Sequence, residues 1–227
     1  MTLSEPQLSR HQITDSIHDL GWRLISRNIQ CGVRVSSLAE AARVAAQVTE
    51  AAGDASAVSI DLRPHRVHVR VAAQAQFWPT PADVDAARRV SAAVADLGLA
   101  TSPGLDDNPV QGLEVAIDAL DIPAVLPFWA AVLGYIQVSD DAIIDPSWVG
   151  PGFWFQQMDA PRPQRNRIHL DVLVPHDEAR GRIDAALAAG GVLVSDAEAP
   201  AFWVLADPEG NEACVCTWQG RDGSAET

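Results

Sequence analysis

The sequence has no lysine; all 16 of its basic residues are arginine. Schiff-base chemistry on this chain and a lysine-bearing phosphate loop are thereby excluded. Cysteine is nearly as scarce, with only Cys31, Cys214 and Cys216. Three thiols make no disulfide framework, and one C-x-C pair without a second is a weak zinc signal. The expected state of these thiols is buried and reduced, acting as small apolar side chains. No apolar run is long enough to span a bilayer, and Met1 to Arg10 lacks the apolar stretch of a secretory signal. These absences lead us to expect a cytoplasmic protein with no membrane partner.

Basic charge is missing from one half in particular. Residues 1–105 carry ten acids and ten arginines, whereas residues 106–227 carry twenty acids against six arginines. The second half therefore accounts for the whole formal charge of −14. Such a field repels phosphate backbones, so no nucleic-acid partner is expected there. What the chain does have is apolar material: 48% of it is hydrophobic, enough for real cores. At 227 residues, about two domains are expected.

The first half alternates helical and extended patterns. Ser4 to Leu20 reads as a helix, Trp22 to Ser26 and Ile29 to Val35 as strands, and Leu38 to Ala52 as an Ala-rich helix. Val58 to Leu62 and Val67 to Val71 read as a hairpin, with Val67, Val69 and Val71 on one face and His68 and Arg70 on the other. Thr80-Pro81-Ala82-Asp83 opens a helix that runs to about Leu97. This α-β-β-α-β-β-α order resembles the pterin-4a-carbinolamine dehydratase family. The resemblance is carried by Gly21-Trp22-Arg23-Leu24, the Val67-x-Val-x-Val71 strand, and Thr80-x-x-Asp83 followed by Ala86-Ala87. The family's chemistry rests on histidines, and the matching places here hold Ser56-Ala57-Val58 and Ala73-Gln74. Carbinolamine dehydration needs an acid/base group near neutral pH, which these residues cannot supply. His65 and His68 are nearby, one in the turn and one on the alternating strand face, and both read as solvated rather than catalytic. The expectation is a domain over residues 1–105 serving as scaffold, dimerisation unit or ligand clamp. Residues 98–109, rich in turn formers, are expected to lead into the second domain.

The second half says one thing twice. Leu113 to Asp118 is an apolar strand followed by the amphipathic run Ile122 to Leu133, then short extended pieces ending at Phe153 to Gln156. Ile168 to Val174 opens a second copy, with a helical run Asp177 to Ala189 and extended pieces at Val192 to Ser195, Ala201 to Leu205 and Glu212 to Trp218. A strand–helix–three-strand unit cannot bury its own sheet face, so two copies are expected to pair into one curved sheet around a cavity. The fold class is α+β, with the paired modules over residues 106–220 and a disordered tail from 221 to 227.

This repeat resembles the glyoxalase/bleomycin-resistance/extradiol-dioxygenase group, the vicinal oxygen chelate superfamily. Its carriers are Asp121-x-Pro-x-x-x-x-Phe128-Trp129-x-x-x-Leu133-Gly134-Tyr135, Asn166-Arg167-Ile168-His169-Leu170-Asp171 and Asp207-Pro208-Glu209-Gly210-Asn211. They are most similar to glyoxalase-like proteins of high-GC bacteria. The last motif also makes physical sense as a turn, with Gly210 supplying a positive φ. The resemblance implies metal ligands on the first and last strands of each module. Glu114 and His169 stand 55 residues apart in equivalent opening strands. Counting four residues past a glycine gives Cys214 in the second module and Gln156 in the first, and Glu212 shares the face of Cys214. Glu114, Gln156, His169 and Cys214 or Glu212 would then hold one divalent transition metal, with Glu114 and His169 as catalytic groups. Position 214 holds a cysteine where the group typically has glutamate, a departure from that ligand set.

The remaining candidates are ligand-binding. Trp148, Trp154 and Trp203 are expected on strands or their ends, with Trp154 and Trp203 suited to an aromatic ligand in a cupped sheet. Trp129, beside Phe128, reads as core. Arg167 either grips an anionic ligand or pairs with neighbouring acids, and Asp171 lies close to His169 in sequence. Three functions stay open: a glyoxalase-like lyase or isomerase acting on a small carbonyl, aromatic or heterocyclic molecule; a non-catalytic binder of bleomycin-resistance type; and a pterin-binding protein without dehydratase activity.

Overall fold

A computed structural model describes residues 8–53, 57–72, 78–105, 108–161 and 168–220. The chain divides into two compact units, with the break between Gly112 and Leu113.

The first unit runs α1 (Arg10–Ile17), β1 (Arg23–Ile25), β2 (Asn28–Arg34), α2 (Leu38–Ala52), β3 (Ala57–Arg63), β4 (Arg66–Ala72), α3 (Pro81–Asp96), β5 (Thr101–Ser102), β6 (Gly104–Leu105) and β7 (Asn108–Pro109). The first helix is capped later than the sequence suggested. Ser9 accepts from the Gln12 amide while the Gln12 side chain accepts from the Ser9 amide, so the described helix begins at Arg10, and Ser4 and Glu5 lie outside the described residues. His18–Leu20 continues it as a short 3-10 turn. The strands form an antiparallel sheet in the order β1-β2-β4-β3. Thr101–Ser102, from the stretch read as leading into the second domain, pairs with β2. Alternation decides the faces: Ile29, Cys31 and Val33 of β2 and Val67, Val69 and Val71 of β4 are fully buried against Ile13, Ile17, Val44, Val48, Val90 and Val94. His68 lies on the opposite face, where its Nε2 meets Gln30 Oε1 at 3.1 Å. Ser56, Ala73 and Gln74 lie outside the described residues.

The second unit holds two copies of one module. The first is β8 (Glu114–Ala119), α4 (Ile122–Leu133), β9 (Ile136–Ser139), β10 (Ala142–Ile144) and β11 (Gly152–Gln157). The second is β12 (Leu170–Leu173), α5 (Ala179–Ala188), β13 (Val192–Ser195), β14 (Phe202–Ala206) and β15 (Glu212–Cys216). In each, the closing strand lies parallel beside the opening one, giving the orders β8-β11-β10-β9 and β12-β15-β14-β13. Among the described residues these are two four-stranded sheets rather than the one continuous sheet expected. What joins the modules is side-chain packing: Phe128, Trp129, Phe153, Phe155, Ile183, Leu205 and Val215 belong to one buried cluster. Close approach matters at Gly191, where an added Cβ would stand 2.4 Å from the Phe128 ring.

Candidate functional site

Period-two alternation also sorts the predicted site residues. Val115, Ile117 and Ala119 of β8 point into the core, so Glu114, Ala116 and Asp118 share the other face. Parallel pairing with β11 sets Glu114 against Gly152, Ala116 against Trp154 and Asp118 against Gln156. Gln156 thus lies four residues along from the partner of Glu114, about 13 Å of strand, and the two do not form the expected pair. In the second module Asp171 faces Cys214 directly, and His169 precedes Asp171 by one same-face step. The first-module counterpart of Cys214 is therefore Trp154, not Gln156.

Three groups do come together. Donor atoms of His169, Asp171 and Cys214 all lie within 4.8 Å of one another, with His169 Nε2 at 3.5 Å from Asp171 Oδ1. The imidazole and carboxylate are about half exposed, while Cys214 is 7% exposed. Burial, then the neighbouring carboxylate of Asp171, push the Cys214 thiol up to about 11, so it stays protonated at neutral pH. One nitrogen, one oxygen and one sulfur form a donor set that fits a borderline-soft divalent ion, provided the thiol proton is displaced. A metal held there would supply Lewis acidity toward a substrate oxygen. Glu114 belongs to no such group of His, Cys, Asp and Glu among the described residues.

Beside this cluster lies a cavity of about 710 Å³. Its apolar walls include Val115, Ile117, Ile168, Leu170, Trp129 and Met158, and its polar lining includes His169, Asp118, Glu209 and Glu212. Among the described residues of the predicted site, only His169 and Glu212 line it. Trp154 is 39% exposed on the open face of the first sheet and is not among the lining residues. Trp203 pairs with Val215 and packs against the core cluster, so it faces away from the open side of its sheet. Trp148, expected on a strand or at its end, sits in the loop between β10 and β11 at φ 57°. Arg167 lies outside the described residues.

The turn Asp207–Asn211 forms one wall and ties the modules together. Asp207, 2% exposed, accepts from Trp129 Nε1 at 2.9 Å, from Asn211 Nδ2 at 2.8 Å, and from the amides of Glu209 and Asn211 at 2.9 Å each. The Glu209 carboxylate accepts from the amides of Leu120 and Asp121 at 2.8 and 2.7 Å, ahead of α4. Gly210 takes φ 88°, the left-handed conformation expected of it. Asp118, Glu209, Trp129 and Met158 were missed as cavity residues by sequence reasoning. The contact of Glu209 with Leu120 spans 89 residues and leaves no local signal.

Residues 114–216 match the model of a family described as a glyoxalase-like domain. No curated protein matches the chain. Among solved structures, a glyoxalase/bleomycin resistance protein/dioxygenase family enzyme from Burkholderia phytofirmans is 21% identical, covering 46% of this chain and 95% of that one at a TM-score of 0.34. A fosfomycin resistance protein from Listeria monocytogenes is 12% identical, covering 47% and 90% at 0.38. A transcriptional coactivator/pterin dehydratase from Brucella melitensis is 20% identical, covering 39% and 98% at 0.36. Likenesses this distant carry no functional argument. The family match supports a glyoxalase-like domain over residues 114–216.

Proposed function

We propose that the C-terminal unit binds a small carbonyl-bearing, aromatic or heterocyclic molecule in the cavity beside His169. The cavity carries this reading: its volume of about 710 Å³ falls within the range of roughly 300–1,000 Å³ typical of small-molecule sites. Apolar walls supply contact area, while a few polar groups fix the ligand's orientation. Ala116, on the lining, offers a way to fill the space. Ligand-observed NMR with a library of small carbonyl and heteroaromatic compounds tests the reading. Binding to the wild type that is lost in Ala116→Trp, with the fold intact by circular dichroism, supports it; binding unaltered by the filled cavity contradicts it.

The position of His169 favours an enzyme over a passive binder. An imidazole 3.5 Å from a carboxylate can take a proton next to a substrate carbonyl while Asp171 orients the ring and stabilises the imidazolium. Glyoxalase-like lyase or isomerase chemistry is of this kind. For any ligand found, His169→Gln should preserve binding within a few-fold while abolishing turnover. A ligand bound tightly by the wild type but never turned over would favour sequestration of the bleomycin-resistance type.

A further inference from the structure

We propose that the open face of the N-terminal sheet binds a small ligand carrying two or three linked phosphates. Charge is sorted within this unit: strands β1 to β4 hold five arginines and one acid, Asp61, although residues 1–105 carry ten of each. Register sets three of these arginines abreast. Arg34 of β2 opposes Arg66 of β4, which opposes Arg63 of β3, and all three are exposed. Neighbouring strands lie about 4.8 Å apart, so the row spans roughly 10 Å. Like charges directly opposite one another on adjacent strands repel, and a bound anion would relieve that repulsion. Asp61 answers only part of the charge, since its two oxygens accept from Arg63 Nε at 2.8 Å and Nη2 at 2.9 Å. Arg70 stands two same-face steps along β4 from Arg66, with His68 between them. Burial, then the charges of Arg70 and Arg66, lower the pKa of His68, so the field of the arginines is felt across the face. Arg23 is turned to the carbonyls of His18 and Trp22 and takes no part.

The chemistry of the face selects the ligand. Guanidinium forks match phosphate oxygens two at a time, which favours phosphate over a simple halide. No Phe, Tyr or Trp lies on β1 to β4, so there is no ring on which a base could stack. The row is short and the whole chain carries −14, a field that repels a long polyanion more than a short phosphate chain. The row closes the Arg63–Arg66 end of the hairpin, whereas the dehydratase histidine positions fall at its other end, around Ala57 and just past Ala72. The site is therefore separate from that family's pocket, and it stands whether or not the C-terminal cavity binds a ligand.

The test is isothermal titration calorimetry of the untagged full chain with tripolyphosphate at about 0.15 M salt. Saturable binding of one equivalent is expected. Arg66→Gln and Arg34→Gln should each weaken it roughly tenfold. Asp61→Asn removes a competing anion and should tighten it by about threefold, a change of opposite sign that loss of structure would not produce. Arg43→Gln and Arg88→Gln remove the same charge from α2 and α3, where these side chains pair with Glu40 and Asp85, and should leave affinity within about twofold of wild type. Arg66→Gln should also raise the melting temperature of the ligand-free N-terminal unit, because the row then repels itself less. Sulfate and a short DNA duplex are the competing ligands. Absence of saturable tripolyphosphate binding, a loss in Arg43→Gln or Arg88→Gln as large as in Arg66→Gln, or binding of sulfate or the duplex as tight as that of tripolyphosphate would each overturn the proposal.

Discussion

Burying a carboxylate is expensive unless donors surround it, and Asp207 has four: the indole of Trp129, the side-chain amide of Asn211 and two backbone amides. Removing it leaves all four without their acceptor. Asp207→Ala should therefore destabilise the C-terminal unit by about 3 kcal/mol in urea unfolding, and Asp207→Asn by about half as much; a loss under about 1 kcal/mol for the alanine would contradict the clasp. His68 offers a pH test in the other unit. Burial, with Arg70 and Arg66 nearby, holds its pKa below 6.5, so the folded state resists a proton that the unfolded chain accepts. The stability associated with neutral His68 is present above 6.5 and is lost as pH falls through the lowered folded value. The melting temperature of the N-terminal unit should drop as pH falls from 6.5 through that lowered value, and His68→Gln should flatten the drop. The cysteines make a third test: Cys31, Cys214 and Cys216 are all buried and in no disulfide, and burial raises the pKa of both Cys31 and Cys214. Native protein at neutral pH should show no fast-reacting thiol toward a disulfide reagent, and three after denaturation; a rapid native reaction at Cys214 would contradict its protonated, sheltered state.

Helices and strands were legible because period 3.6 and period 2 are local properties. Leu38 to Ala52, Ile122 to Leu133 and the Val67 to Val71 strand fall where their spacing puts them. Thr80 caps α3 as its motif suggests, with its hydroxyl accepting the Asp83 amide at 3.3 Å. Thr80→Ala should cost about 1 kcal/mol, and Thr80→Ser should restore most of it; indistinguishable alanine and wild-type unfolding curves would deny the cap any role. Register was not legible. Counting four residues past a glycine picked Gln156 as the counterpart of Cys214, but Gly152 is itself the first residue of β11, whereas Gly210 stands two residues ahead of β15. The glycines occupy different places in the two modules, so the count slipped by one same-face step. Trp203 failed for a related reason: its position on β14 was foreseen, but the pairing with Val215 that turns it toward the helices depends on a neighbouring strand.

Two separate cores, one gathering Ile17, Trp22, Val48 and Val69 and the other Phe128, Trp129, Phe155 and Leu205, describe a chain of two self-sufficient units. Residues 1–112 and 113–227 expressed separately should each unfold cooperatively by circular dichroism, and failure of either to fold would show that its core is incomplete. No helix among the described residues is long and apolar enough to cross a membrane. At this scale the sequence revealed the repeat and the uneven charge, both written along the chain, but not the cavity. Its walls come from β8, the residues opening β12 and the turn after β14, segments spread between Val115 and Glu212 that meet only in the folded unit. Among the described residues of the predicted site, His169 alone belongs both to the cavity and to the His/Asp/Cys cluster. The most direct test of the account is ligand-observed NMR of the full chain with small carbonyl and heteroaromatic compounds, run in parallel on the wild type and on Ala116→Trp. We expect saturable binding by the wild type and none by the filled variant; equal binding by both, or none by the wild type across the library, would contradict the cavity as the functional site.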